Sequence, residues 1–246
     1  MEKRELILTI VVFAFIVVLF SNPILAESNL EKGKGVFMSI RESFYSGEDV
    51  NIVDELEKTK EIFNKVKDDY KRNYWQGKTE FLLAEVYDEY GEESKALIHF
   101  EKSNKRAKKT LNEKSTSEAH TLLAESYMRQ FDYKGIFYTI RYGNESLELL
   151  ERAIKMNKNN YRAFNALGHY LYFAPEIGGG DKKRSIKAFK KALASERQYD
   201  RFTANIWLGI IMRDNEDNIE AAQRYFKRAK KIYPDNYWIK EEINKI

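Results

Sequence analysis

Gly178, Gly179 and Gly180 are a quarter of the chain's twelve glycines, and Asp181, Lys182 and Lys183 follow them at once. Glycines ahead of lysines are what a phosphate-gripping loop uses. Such a loop needs Gly, four residues, Gly, Lys and Ser or Thr between a buried strand and a helix. "GGGDKKRS" has another spacing and follows a helical pattern. Asp181 stands at the N-cap of the next helix, where its carboxylate takes the N–H groups a phosphate would want. The stretch reads as a connector.

The other reactive side chains are sparse. Glu85 and Glu125 could meet across a groove as a hydrolase carboxylate pair would, and no local Ser, His and Asp set is present. His99, His120 and His169 lie too far apart for a short metal-ligand motif. The absence of cysteine excludes disulfides, thiol nucleophiles and an N-terminal lipidated cysteine. No metal, cofactor or catalytic residue is assigned, and the chain is not read as an enzyme.

The elements that carry these residues are helical. The 246 residues are 33% charged and 43% hydrophobic, with three prolines, which suits a folded all-α domain. The net charge of +4 is spread over lysine-rich helices whose charges face water, so no nucleic-acid partner is expected. At the N-terminus, "MEKRE" precedes the apolar run Leu6–Phe20, then Pro23 and a small Ala26. That pattern marks residues 1–26 as a secretory signal peptide or, if uncleaved, a membrane anchor through residues 6–20. Either way, residues 27–246 are exported, to the periplasm or the cell exterior, and touch the membrane only if the segment is retained.

Self-similarity sets the organisation. A small residue, a bulky apolar one four further on and a small one after three more recur as Ala96, Phe100, Ser103; Ser146, Leu150, Ala153; Ser185, Phe189, Ala192; and Ala222, Phe226, Ala229. Thr59, Phe63 and Val66 form a weaker copy. Each clear copy follows a second pattern: Leu83, Ala84, Tyr87; Leu123, Ala124, Tyr127; Leu167, Gly168, Leu171; and Leu208, Gly209, Met212. Its small residues are 40, 44 and 41 apart. Small residues where two helices cross allow axes to approach to about 8–10 Å. Stacked hairpins then share one core.

The pattern resembles the tetratricopeptide repeat (TPR) family, most clearly in "WLGIIM" and "AQRYFKRAKKIYP", with Pro234 closing the copy. Earlier copies carry Lys108, Lys158 and Arg197 in place of that proline. The resemblance covers roughly residues 75 to 235 and implies a superhelical α-solenoid. Four clear repeats, a degenerate first hairpin over residues 27–72 and a capping helix in "NYWIKEEINKI" are expected.

Two hairpins are longer than the repeat. Ala124 and Ser146 are 22 apart where Ala84 and Ala96 are 12 apart, and the addition, "RQFDYKGIFYTIRYG", is rich in aromatics. Gly168 and Ser185 are 17 apart, and that addition is the glycine stretch.

In TPR proteins the first helix of each hairpin lines the concave face. Carried over repeat by repeat, this marks Lys78, Phe81, Glu85 and Asp88; Glu118, Thr121, Glu125, Met128 and Arg129; Arg162, Asn165, His169 and Tyr172; and Thr203, Ile206, Ile210 and Arg213. Arg162, Asn165, His169 and Tyr172 share one helix face. The Lys and Asn four apart of a chaperone-type carboxylate clamp are missing.

Two functions are expected from this. The first is an exported, non-catalytic scaffold that holds a protein or peptide segment in its groove, with self-association through exposed solenoid ends. The second is a small-molecule-binding transport accessory. "YKGIFYTIRYG" through "APEIGGGD" is similar to exported TPR proteins related to accessory components of periplasmic TRAP-type transporters, which are commonly lipoproteins, whereas this chain has no cysteine. A scaffold requires an open concave surface; a carrier requires an apolar cavity of about 300 Å³ or more.

Overall fold

The computed structural model describes residues 28–48 and 51–246, so the expected signal peptide or anchor lies outside the described residues. Among the described residues all regular structure is helical. Helix α1 covers residues 28–46 and pairs with α2, Ile52–Asn64. Four hairpins follow: α3, Asp69–Glu89, with α4, Glu93–Glu113; α5, Ser117–Met128, with α6, Phe131–Met156; α7, Tyr161–Phe173, with α8, Lys182–Ala192; and α9, Gln198–Asp214, with α10, Ile219–Ile232. The closing helix α11 is Tyr237–Asn244. The chain is an all-α solenoid, as the repeats imply.

Side-chain caps punctuate the stack. Asp68, Thr116, Asn160, Asp181, Asn218 and Asn236 each accept a hydrogen bond from the backbone N–H three residues on. Each such bond satisfies a donor that the first helical turn leaves open and contributes about 1 kcal/mol.

The small-and-bulky ladder forms the crossings. Ala84, Ala96, Phe100, Ser103, Ala124, Ser146, Leu150, Ser185 and Phe189 are all fully buried. A Cβ on Gly168 would fall 2.8 Å from the Phe189 ring, so only glycine lets α7 and α8 close to this distance. The degenerate first hairpin obeys the same rule: a Cβ on Gly33 would lie 2.5 Å from the Phe63 ring. Lys32 stands where the other hairpins have leucine before the small residue, which hides the pattern in the sequence.

Both insertions take definite shapes. The first lengthens α6 at its start, with a kink at Gly135, whose φ of 71° is in the left-handed region. The second leaves α7 at Ala174, makes a 3-10 turn at Glu176–Gly178 and passes through Gly179 at φ 87°. It ends at Asp181, which caps α8. Tyr170 donates its hydroxyl to the Gly178 carbonyl at 2.7 Å and ties the connector to α7.

The solenoid closes on itself. The C-terminal end of α1 reaches the last hairpin: Tyr45 joins the apolar cluster of Phe202, Ile206, Phe226 and Ile239. Its ring lies 4.5 Å from that of Tyr199. Asn236 donates to the Tyr45 carbonyl at 3.0 Å, and the Tyr233 hydroxyl donates to Glu42. Tyr237 of α11 hydrogen-bonds Glu89 at the end of α3. First and last elements therefore meet across the concave side.

Candidate functional site

The end of α1 enters the concave side. Tyr45 donates to Glu85 at 3.0 Å, so the end of α1 sits on the groove-facing surface of α3. Lys78 is buried with its ammonium 4.7 to 5.7 Å from the rings of Phe37, Tyr74 and Trp75. Burial, with the Arg162 and Arg41 guanidiniums nearby, holds that amine well below the usual lysine range. Beside this contact the concave side keeps an open chamber of about 140 Å³.

Nine of the residues marked from sequence line this chamber together: Phe81, Glu85, Glu125, Met128, Arg129, Arg162, Asn165, His169 and Thr203. Most are already engaged. The Arg162 guanidinium donates to Glu125 at 2.8 Å and lies over the Phe81 ring at 5.4 Å. Arg129 donates to Asp88 at 2.8 Å, and Tyr133 also donates to that carboxylate. Asn165 donates to the Asp200 carbonyl at 2.9 Å. Glu85 and Glu125 share the chamber, but Glu125 is held by Arg162 rather than set against a partner carboxyl. Burial lifts the Glu85 carboxyl above its usual range, partly offset by Arg129 and Arg162. His169 packs edge-on to Trp207 at 4.9 Å, and burial, aided by the Arg129 charge, lowers its imidazole to about 3.

The remaining marked residues are placed elsewhere. Tyr172 does not continue the strip of Arg162, Asn165 and His169; it packs with Phe173 and Trp207 on the α7–α9 side. Ile206 and Ile210 are buried in the last hairpin's core against Tyr45 and Ile239, because α1 and α11 cover that helix face. Arg213 donates to Glu242 at 2.7 Å and to Asp214, fastening α11 to α9. Glu118 and Thr121 line a separate polar cleft at the starts of α5 and α7, and Thr121 accepts from Asn160 at 2.9 Å. Tyr199, Trp207 and Trp238 complete the chamber and escaped the repeat-by-repeat transfer. Tyr199, Thr203 and Trp207 recur every four residues on α9, a stripe the sequence displays.

A second cavity, larger than the chamber, is walled by the two insertions. Phe131, Ile136 and Ile140 of the α6 extension form one wall; Phe173, Pro175 and Ile177 of the connector form the other. Met128, His169 and Tyr170 form the floor. The cleft measures about 560 Å³ and is mostly apolar. Ile136 is 63% exposed, Ile140 67%, Phe173 59% and Ile177 98%; Phe137, next to the cleft, is 86% exposed. Isolated surface hydrophobics are ordinary, whereas four lining one cleft mark a contact surface. Met128 and His169 line both cavities, so the cleft and the chamber are neighbours.

Comparison with protein-family models and with curated proteins yields no match. Among solved structures, TTC0263, a thermophilic TPR protein of Thermus thermophilus, aligns with a TM-score of 0.58 over 89% of this chain and 97% of that chain. The fold is that of a TPR protein. Identity to TTC0263 is 14%, so the likeness is one of fold. YrrB, a TPR protein with an unusual peptide-binding site, covers 79% of this chain and 86% of its own at 17% identity and a TM-score of 0.42. MamA covers 78% of this chain and 92% of its own at 17% identity and a TM-score of 0.41.

Proposed function

We propose that this TPR-fold chain is an exported, non-catalytic scaffold that holds an apolar segment of a partner protein, and that the cleft between its two insertions does the holding. The observation that carries this is the meeting of both insertions in one apolar cleft of about 560 Å³ with four large side chains of its lining left exposed. The end of α1 takes part of the concave groove, where the repeat pattern put the partner, through the bond of Tyr45 to Glu85. A protein segment suits the cleft better than a small molecule does, because Phe137 lies beyond the lining and a ligand seated inside would leave it in water. Export rests on the charge and hydropathy pattern of residues 1–26.

The second reading, a small-molecule accessory of TRAP-type transport, draws support from the cleft volume. It falls within the ~300–1,000 Å³ typical of ligand pockets, with the aromatic insertion as one wall.

Site-specific photocrosslinking in the source cells separates the two readings. A crosslinker at position 137 is expected to trap one discrete protein, with the adduct lost in Ile136→Asp/Ile177→Asp and absent when the crosslinker is at exposed Ile98. Both substituted isoleucines are solvent-facing, so stability should change by no more than about 0.5 kcal/mol each. A stoichiometric apolar small molecule in native mass spectra, lost in the same double variant and without a protein adduct, supports the second reading. If neither a protein adduct nor a bound small molecule is found, the cleft is not the binding site.

A further inference from the structure

A cleft of about 400 Å³ between α2, α3 and α4 shares no lining residue with the chamber or with the cleft of the insertions. Lys60 of α2, Glu80 of α3, and Lys102, Lys105, Arg106 and Lys109 of α4 line it. The four residues of α4 stand at i, i+3, i+4 and i+7, which sets them in one stripe along the helix. At ~1.5 Å per residue the stripe is about 10 Å long.

Elsewhere in the chain a lysine is commonly paired with a glutamate three residues before it, as Lys34 is with Glu31, Lys58 with Glu55, Lys60 with Glu57 and Lys95 with Glu92. "KSNKRAKK", residues 102–109, breaks that habit with five cationic residues and no carboxylate. Lys108 leaves the stripe and lies 5.3 Å from the Tyr127 ring. Lys102, Lys105 and Lys109 are exposed and make no ion pair among the described residues. Arg106 donates to the Asn73 side-chain carbonyl at 2.9 Å, a neutral acceptor that leaves its charge unmatched. Glu80, the one carboxylate among the described lining residues, is already engaged by Lys60 at 2.8 Å and His99 at 2.6 Å. Four cations therefore border one small space without an anion to match them. Like charges three and four apart repel, so the stripe weakens α4, whereas a merely solvated face would carry both signs.

We propose that this cleft binds a compact multivalent anion of the oligophosphate class, independently of the partner held between the insertions. Phosphate oxygens point in every direction and stay charged near neutral pH, so one molecule can meet the lysine ammonium groups and the Arg106 fork together. About 400 Å³ corresponds to roughly a dozen water volumes at ~30 Å³ each, room for a chain of about three linked phosphates. A single phosphate would reach only part of the stripe.

Isothermal titration of the full chain with tripolyphosphate and with inorganic phosphate tests this, in about 0.15 M salt to screen exposed charges beyond ~8 Å. Tripolyphosphate is expected to bind one to one and at least about tenfold more tightly than inorganic phosphate. Lys105→Gln/Lys109→Gln should weaken tripolyphosphate about tenfold or more and, by relieving repulsion along α4, should melt no lower than the native chain. Lys227→Gln/Lys231→Gln removes the same charge from exposed positions of α10 and should change binding less than about twofold. No tripolyphosphate binding at millimolar concentration would overturn the proposal, as would equal affinity for the two phosphates. An equal loss in both double variants would overturn it as well, since net charge alone would then account for the binding.

Discussion

A disulfide between positions 47 and 235 would test whether the solenoid closes. A Cβ placed on Gly47 lies 3.6 Å from the Asp235 Cβ, within the ~3.5–4.5 Å that a disulfide spans. The chain has no cysteine, so Gly47→Cys/Asp235→Cys has one bond to form. The bond would enclose about 190 residues, for which the chain-entropy relation gives about 5 kcal/mol. Two costs reduce this. Gly47 has φ 73°, a left-handed backbone that costs any other residue about 1–2 kcal/mol. The new Cβ would also sit 2.9 Å from the Asp235 carbonyl oxygen, so the loop must shift by a few tenths of an ångström. Losing the exposed Asp235–Lys240 pair changes little. Relative to the native chain the net gain is about 2–4 kcal/mol. Both costs fall alike on the reduced and oxidised variant, so about 5 kcal/mol separates those two forms; at about 2–4 °C per kcal/mol for a chain of this size, the oxidised double variant should melt roughly 10–20 °C above its reduced form. Calorimetry of both forms, with a free-thiol assay, measures this. Thiols that stay free under oxidised glutathione, or a crosslink that leaves the melting temperature unchanged, would refute the placement of α1 against the last hairpin.

Three further outcomes are expected. Gly33→Ala should destabilise by about 1–2 kcal/mol in urea unfolding, because overpacking against Phe63 outweighs the gain of about 1 kcal/mol in helix propensity. Gly35→Ala, two residues along and with nothing near its Cβ, should stabilise by up to about 1 kcal/mol. Burial raises the Glu89 carboxyl to about 7, partly offset by the Tyr237 hydroxyl. A carboxyl with a raised folded value contributes its stability below its unfolded value, so unfolding free energy should fall as pH rises from about 4.5 through 7. Glu89→Gln should remove that slope in denaturation series at about pH 5 and pH 8. Lys78→Met should stabilise at about pH 7, because the buried amine is disfavoured in its charged form, and the gain should shrink toward about pH 10; thermal melts at both values check it.

Much of the fold was legible because crossings depend on residue size, and size is written in the sequence. Gly168 against Phe189 and Ala222 beside Phe226 can be read as spacing before any contact is known. The first hairpin was obscured by one side chain, Lys32, beside a glycine that packs as Gly168 does. The site was half legible. Positions equivalent to Phe81, Glu85 and Asn165 face the interior in the middle repeats, but their counterparts Ile206 and Ile210 do not. Their surroundings are set by Tyr45, far earlier in the chain, and by Ile239. Nothing local to α9 announces that cover. Trp238 was invisible for the same reason: a capping helix is expected to shield an end, whereas α11 also turns a ring into the chamber.

The two insertions explain why the outward cleft exists at all. Each interrupts the turn between the first and second helix of its hairpin, one at the α5–α6 turn and the other at the α7–α8 turn. Successive hairpins stack in the same orientation, so equivalent turns lie on the same edge of the solenoid. Additions at one turn in consecutive repeats must then emerge side by side. A single insertion would expose its apolar residues to water with nothing opposite; two in register face each other and form walls over the floor of Met128 and Tyr170. The pairing also predicts dependence. Shortening the connector by removing Glu176–Gly178 should leave Phe131 and Ile140 with one wall and abolish the cleft, while the crossings at Phe189 and Leu150 keep their burial. A folded variant that loses partner capture at position 137 is the expected result, and undiminished capture would locate the site on the α6 extension alone.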